Sequence, residues 1–139
     1  MAETLPDSIE LEVATPERML VREQVTEVQL PGKDGYMGIL PGHAPLLSQL
    51  GIGYLSYMAG GRKRYLSVHG GFVEVLPDHV RVLAELAEKA EEIDVERARR
   101  AMQRAQEQMM NPALGVDPGA ALESMARAQA RLTVIEQQK

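Results

Sequence analysis

Apolar and polar positions alternate with a period of two over much of the first 84 residues. Ile9, Leu11 and Val13 alternate with Glu10 and Glu12, the pattern of a strand with one buried face. Thr15-Pro16-Glu17 then turns the chain. Val25, Val28 and Leu30 follow, with Thr26 and Glu27 out of strict alternation, which reads as a bulge. Residues 54–58 run into Ala59-Gly60-Gly61, a hairpin signal, and residues 62–68 return. Gly70-Gly71 precedes residues 72–76, Pro77-Asp78 turns, and residues 79–83 alternate again. Short strands with turn signals every ~8–12 residues predict an all-β sandwich or flattened barrel.

The period then changes. Asp94 stands where an N-cap belongs, and Val95, Ala98, Met102, Ala105 and Met109 recur at three- and four-residue spacing. Asn111-Pro112 ends that helix, because proline disfavours helical geometry in the residue before it. Residues 113–116 read as a loop, and Asp117-Pro118 is a second start signal. Ala121, Met125, Ala128, Leu132 and Ile135 form the second stripe. The expected architecture is therefore a β-sandwich domain over 1–87 followed by a two-helix domain over 88–139. Its helices, about 94–110 and 118–137, fold back as an antiparallel hairpin ~25–30 Å long. Both stripes are narrow and rich in alanine, which buries little apolar area. Such a hairpin is marginal alone and must lean on another surface, which suits it to be a moving part.

Composition sharpens this split. Residues 1–84 hold 10 of the 12 glycines, 6 of the 8 prolines and all five aromatics, whereas residues 85–139 hold 11 of the 16 alanines. Charge does not separate the two parts. At a net charge of −5 and no basic face, nucleic acid is not an expected partner. The chain has no cysteine, which removes disulfides, thiolate metal sites and cysteine nucleophiles. No apolar run reaches the ~18–20 residues of a membrane span, and residues 1–7 lack the apolar region of an export signal. Catalytic patterns are missing as well. The three histidines show no metal-ligand spacing, residues 51–56 lack the third glycine of a dinucleotide fingerprint, and Gly60-Gly61-Arg62-Lys63 is not a phosphate loop. No catalytic residue, metal or required cofactor is expected.

One segment stands apart. Residues 31–47 carry four glycines and three prolines in 17 residues, which specify a fixed succession of turns. Tyr36, Met37, Ile39 and Leu40 place apolar side chains on it, so the segment reads either as a compact connection under the sandwich or as a recognition edge.

Gly38-Ile39-Leu40-Pro41-Gly42-His43-Ala44-Pro45-Leu46-Leu47, with Gly70-Gly71-Phe72-Val73-Glu74-Val75 and Ile93-Asp94-Val95-Glu96-Arg97-Ala98, resembles the epsilon-subunit family of bacterial-type F-type ATP synthases. The resemblance covers essentially the whole chain, in order. It implies a non-catalytic central-stalk rotor subunit that couples rotation of the c-ring to the catalytic head, at the cytoplasmic face of the bacterial plasma membrane. Association with the membrane runs only through the complex. The resemblance places Tyr36, Met37, Gly38, Ile39, Leu40, Pro41, Gly42 and His43 against the gamma subunit and the c-ring. It also implies a hairpin that rests on the sandwich or extends to the alpha and beta subunits and brakes ATP hydrolysis, with Arg99, Arg100 and Arg104 as its inhibitory contacts. In some relatives the folded hairpin binds ATP as a regulatory ligand. The matching positions here are Glu88, Ile93, Asp94, Arg97 and Ala98, with Arg127 and Arg131 four apart on the second helix. Guanidinium groups suit phosphates and carboxylates suit ribose or adenine donors. Without the resemblance, the residues alone support an interaction module or, alternatively, a stand-alone nucleotide sensor.

Overall fold

The computed structural model describes residues 5–139. Seven strands run in chain order: β1 (Ile9–Ala14), β2 (Met19–Val25), β3 (Glu27–Gly32), β4 (Gly35–Ile39), β5 (Leu46–Ala59), β6 (Arg62–Leu76) and β7 (His79–Lys89). They form one sheet in the order β2-β1-β7-β6-β5-β3-β4. All neighbours are antiparallel except β1 and β7, which pair in parallel and tie the first strand of the chain to the last. Gly60 and Gly61, at φ +58° and +75°, make the two-residue turn between β5 and β6. Positive φ at both positions matches the strand twist and suits glycine.

A flat sheet cannot bury its own apolar face, so this one bends over itself. The bend lies where ladder pairing lapses. Gly51 stands opposite Gly70 between β5 and β6, Gly70 stands opposite Glu85 between β6 and β7, and the β3–β5 register shifts between Gln29 and Gly32. At this line the backbones crowd together. A Cβ on Gly51 would meet the Gly32 carbonyl oxygen at 2.9 Å, and one on Gly71 (φ +124°) would overlap the Leu83 carbonyl oxygen. Only glycine fits there. The halves of β5, β6 and β7 on either side of the bend face each other. Ile9, Leu11, Val13, Val73, Val75, Val80 and Val82 thus share one core with Val28, Leu30, Ile39, Leu55, Leu66 and Val68, and β2 packs against β5 without pairing to it.

Two features differ from the sequence reading. The irregularity at Thr26 is a strand break between β2 and β3, which pair with β1 and with β4 and β5 in turn. Thr26 N–H donates to the Met58 carbonyl at 2.9 Å at that crossing. Residues 31–47 are less turn-rich than their glycines and prolines suggest, because β3 and β4 form a hairpin about Lys33-Asp34 and only residues 40–45 are loop. Proline is tolerated at position 31 because β3–β5 pairing lapses between Gln29 and Gly32, and glycine at 38 because β4 is the edge strand.

A 3-10 turn (Ala90–Glu92) leads to helix α1 (Val95–Met110) and, after a second short turn (Pro112–Leu114), to α2 (Pro118–Gln138). Asp94 caps α1 by accepting from Arg97 N–H at 3.1 Å, and Asp117 caps α2 by accepting from Ala120 N–H at 3.1 Å. Gly115, at φ +75°, turns the chain between them. The helices pack antiparallel through alanines, with Ala98, Ala105, Ala121 and Ala128 all buried. Among the described residues no helix is long and apolar enough to cross a membrane.

The bend is the expected weak point of the fold. Gly71→Ala should lower stability by at least about 3 kcal/mol, since it combines strained φ with backbone overlap. Gly38→Ala, whose Cβ would meet nothing within 4 Å, should change it by less than about 1 kcal/mol. Urea unfolding of both variants checks the contrast.

Candidate functional site

The hairpin rests on the outer face of one half of the sheet, through α2. A small apolar cluster carries the contact: Ile93, Ala98 and Val134 are buried, with Tyr54, Tyr65, Leu132 and Ile135 packed around them. Two polar contacts accompany it. Arg131 Nε donates to Glu88 Oε1 at 2.7 Å, and the Gln138 amide oxygen accepts from Tyr65 N–H at 2.8 Å. Tyr65 lies just beyond the last β6–β7 pair, Leu66 with Lys89, so its N–H has no strand partner on that side and the helix end supplies one. Toward its start α2 overhangs the sheet. There an open crevice of about 690 Å³ separates Glu123 and Ala126 from a floor that includes Gly32, Gly51 and Gly70.

Glu88 is the pivot of the docked state. It sits directly opposite Ser67 across the β6–β7 ladder. Ser67 Oγ donates to its Oε1 at 3.1 Å, and His69 Nε2 lies 3.5 Å from the same oxygen. The His69 imidazole, then Arg131 and Ser67, hold the Glu88 carboxyl down at about 2, against burial, which raises it.

Beside this pivot is a cavity of about 270 Å³ lined by Glu88, Glu92, Ile93, Asp94, Arg97, Ala98, Ala101 and Arg131. It brings together six of the seven residues read as a nucleotide site. The seventh, Arg127, pairs with Glu123 at 2.6 Å and does not line the cavity. One turn of α2 separates the two arginines, and of the two Arg131 alone has its partner on the sheet. Three carboxylates and two guanidinium groups line the wall. Glu92 is drawn to Arg18 at 2.6 Å, Asp94 caps α1, and Arg131 is held by Glu88, so Arg97 is the one lining cation without an ion pair among the described residues.

The segment read as a partner edge divides into three environments. Tyr36 lies on the helix side, its ring stacked on Tyr54 at 4.7 Å and its hydroxyl accepting from Tyr54 N–H at 3.1 Å across Gly53. Ile39 is buried in the core and Met37 packs against it, while Gly38 is exposed on the edge strand. Leu40, 60% exposed, leads into Pro41, Gly42 and His43 at one end of the sandwich, where Gly42 N–H donates to the Pro77 carbonyl at 2.7 Å. On α1, Arg99, Arg100 and Arg104 are exposed. Arg99 pairs with Glu96, and Arg100 and Arg104, one turn apart, have no ion pair among the described residues.

The other outer face of the sandwich carries a surface that sequence reasoning missed. Leu47, Phe72 and Leu83, exposed by 73%, 55% and 53%, surround a shallow cavity of about 130 Å³ with Glu74 and Arg81. The signal was present in the pairing. Phe72 and Leu83 are direct cross-strand partners at outward positions, and two apolar residues facing water together mark a covered surface. Next to them Glu10, Glu12 and His79 offer ligand atoms within 4.8 Å of one another. Arg22 and Arg81 already pair with these carboxylates, so the cluster is balanced ionically without a metal.

The comparisons with known proteins cover the same two parts. The family described as "ATP synthase, Delta/Epsilon chain, beta-sandwich domain" matches residues 8–90, and "ATP synthase, Delta/Epsilon chain, long alpha-helix domain" matches residues 91–136. The chain is 66% identical over 132 residues to the ATP synthase epsilon chain of Solibacter usitatus, spanning 95% of this chain and 98% of that one. To the ATP synthase epsilon chain of Koribacter versatilis it is 50% identical over 105 residues, 76% and 74% of the two chains. Among solved structures, a chain of the Euglena gracilis mitochondrial ATP synthase (OSCP/F1/c-ring, rotational state 1) superposes with a TM-score of 0.76 at 26% identity, covering 98% of this chain and 84% of that one.

The Glu88 carboxyl sets the sign of an acid response. Its folded value lies below its ordinary 4.5, so the contacts stabilise the docked hairpin above about 4.5 and are lost as the pH falls toward 2. The near-ultraviolet signal of Tyr54 and Tyr65 should report undocking of α2 across that window. Glu88→Gln should remove the part of the change that belongs to this group.

Proposed function

The chain belongs to the delta/epsilon family of ATP synthases, and from that membership we propose a two-part role, as clamp and as brake. It is a non-catalytic epsilon subunit of the central stalk. The proposed clamp is the sandwich, which grips the gamma subunit and sits on the c-ring at the cytoplasmic face of the bacterial plasma membrane. The proposed brake is the hairpin, which rests on the sandwich and extends toward the alpha and beta subunits to restrain ATP hydrolysis.

The observation that carries the brake reading is the slightness of the docking contact. The sandwich core holds 20 buried apolar residues, whereas the cluster under the hairpin holds three, Ile93, Ala98 and Val134, of which Ala98 also serves the seam between the helices, and two polar contacts and a rim accompany it. Burial on that scale is worth a few kcal/mol at most, within reach of a competing partner. Exposed Arg100 and Arg104 on the released helix suit acidic segments of the catalytic subunits, with Arg99 held in part by Glu96. For the clamp, Leu40, Pro41, Gly42 and His43 present the sandwich end to the polar loops of the c-ring. The Leu47–Phe72–Leu83 face supplies the apolar surface a lasting partner such as gamma needs. Met37 and Ile39 shape this end from inside.

ATP is the proposed regulatory ligand of the hairpin cavity. Arg131 holds Glu88 by Nε alone, and the rest of its guanidinium fork can meet a phosphate. A nucleotide bridging Arg97 and Arg131 would join α1, α2 and the sheet, and so favour the docked state. The cavity is smaller than the ~300–1,000 Å³ of most small-molecule sites, and most of its charge is already paired, so affinity should be weak. Arg127 would join only by leaving Glu123.

Removing residues 94–139, beyond the last strand, from the assembled complex should raise ATP hydrolysis severalfold while rotation-coupled synthesis persists. Unchanged hydrolysis would exclude the brake. Titrating ATP to millimolar levels into the isolated chain should shift the amide signals around Arg97 and Arg131 more than those around Arg127, and silence at all three would exclude the ligand. Phe72→Glu with Leu83→Glu should weaken retention of the chain on gamma at least tenfold, read by co-purification.

A further inference from the structure

We propose that Ser67 and His69 are positioning residues that set hairpin docking from the sheet side, by aiming the Glu88 carboxylate at Arg131 before the helix arrives. The consequence for nucleotide binding rests on the regulatory reading above, and the docking effect does not.

Ser67 is fully buried and His69 is 4% exposed, on the strand face that α2 covers. A hydroxyl and an imidazole under an alanine-rich helix are costly unless they are directed at a partner. Both are directed at Glu88. Ser67 Oγ at 3.1 Å, His69 Nε2 at 3.5 Å and Arg131 Nε at 2.7 Å converge on one oxygen, Oε1. His69 Nε2 also lies 3.2 Å from Ser67 Oγ, which completes a closed triangle on the sheet. The other ring nitrogen, Nδ1, is buried with no hydrogen-bond partner. An apolar residue would avoid that penalty, so the side of the ring that faces Glu88 is what the imidazole contributes here.

Chain geometry explains why the aim precedes docking. Ser67 and Glu88 are register partners, and His69 stands two residues on, on the same face. All three belong to β6 and β7 and keep their places when α2 leaves. Glu88 has several rotamers, and ordering it at the moment of contact would oppose docking. Held by two neighbours, it meets Arg131 already ordered.

The chain has no native cysteine, so spin labels at Lys63→Cys and Glu136→Cys, both exposed positions, report docking in the full chain without nucleotide. His69→Leu fills the space and removes the nitrogen. It should lower the docked-to-undocked ratio about tenfold, and Ser67→Ala about threefold. His69→Gln, whose amide can replace Nε2–H, should restore most of the docked population. In a Glu88→Gln background the His69→Leu effect should shrink to less than about twofold, as expected of a residue that acts through Glu88. An unchanged distance distribution in both His69→Leu and Ser67→Ala, or an undiminished effect without the carboxylate, would overturn the proposal. Should His69→Leu fail to fold, Ser67→Ala alone and in the Glu88→Gln background makes the same comparison. ATP titration of the same proteins separates the two readings. Weaker binding in the variants supports both, and no binding by the unmodified chain defeats the nucleotide reading while the distance measurement still decides this one.

Discussion

Everything in the molecule depends on the bend of one sheet at a line of glycines. Without room for backbone against backbone at Gly51 and Gly71, β5, β6 and β7 would run straight and leave two half-cores open to water. With the bend, a single seven-stranded sheet covers itself and leaves two outer faces of different character. One carries Tyr54, Tyr65, Ser67 and His69 and receives α2. The other carries Leu47, Phe72 and Leu83 beside an ionic cluster and stays uncovered in the isolated chain.

Those faces give the two parts of the protein different strengths. The core is bound by continuous side-chain burial, so the sandwich behaves as a rigid body. The hairpin is bound by an alanine seam within itself and by a small mixed contact with the sheet. A mixed contact suits a switch better than a larger apolar one, because charged partners can be exchanged for others while buried area cannot. Arg131 is such a shared group. It closes the docked contact through Glu88 and stands at the wall of the cavity proposed for ATP.

Much of this was legible in the residues, and the exceptions share a cause. Period-2 alternation exposed Ile9, Leu11 and Val13 as one buried row, and the caps Asp94 and Asp117 marked both helices, because these signals are local. Tyr36 was read with its neighbours as part of one partner edge. Across the strand pleat, however, adjacent residues point opposite ways, and Gly53 opens a seat for its ring beside Tyr54. Arg127 and Arg131 share a helix face at four-residue spacing, yet only the second reaches the sheet. His69 carries no signal along the chain, since its partner Glu88 is 19 positions away and adjacent only through the β6–β7 register. The Phe72–Leu83 pair was hidden in the same way. Contacts set by register and by the bend are not visible along the chain, and they are where the candidate functional groups lie.

The most direct test holds the hairpin down in the assembled complex. Cysteines at Arg64 and Gln137 flank the contact of Gln138 with the sheet, and a short cleavable tether between them fixes α2 in its docked place. ATP hydrolysis should then rise to the level of a complex lacking the hairpin, and fall again when the tether is cut. Hydrolysis that stays equally restrained with the hairpin tethered to the sandwich would contradict the release of this arm as the source of the brake.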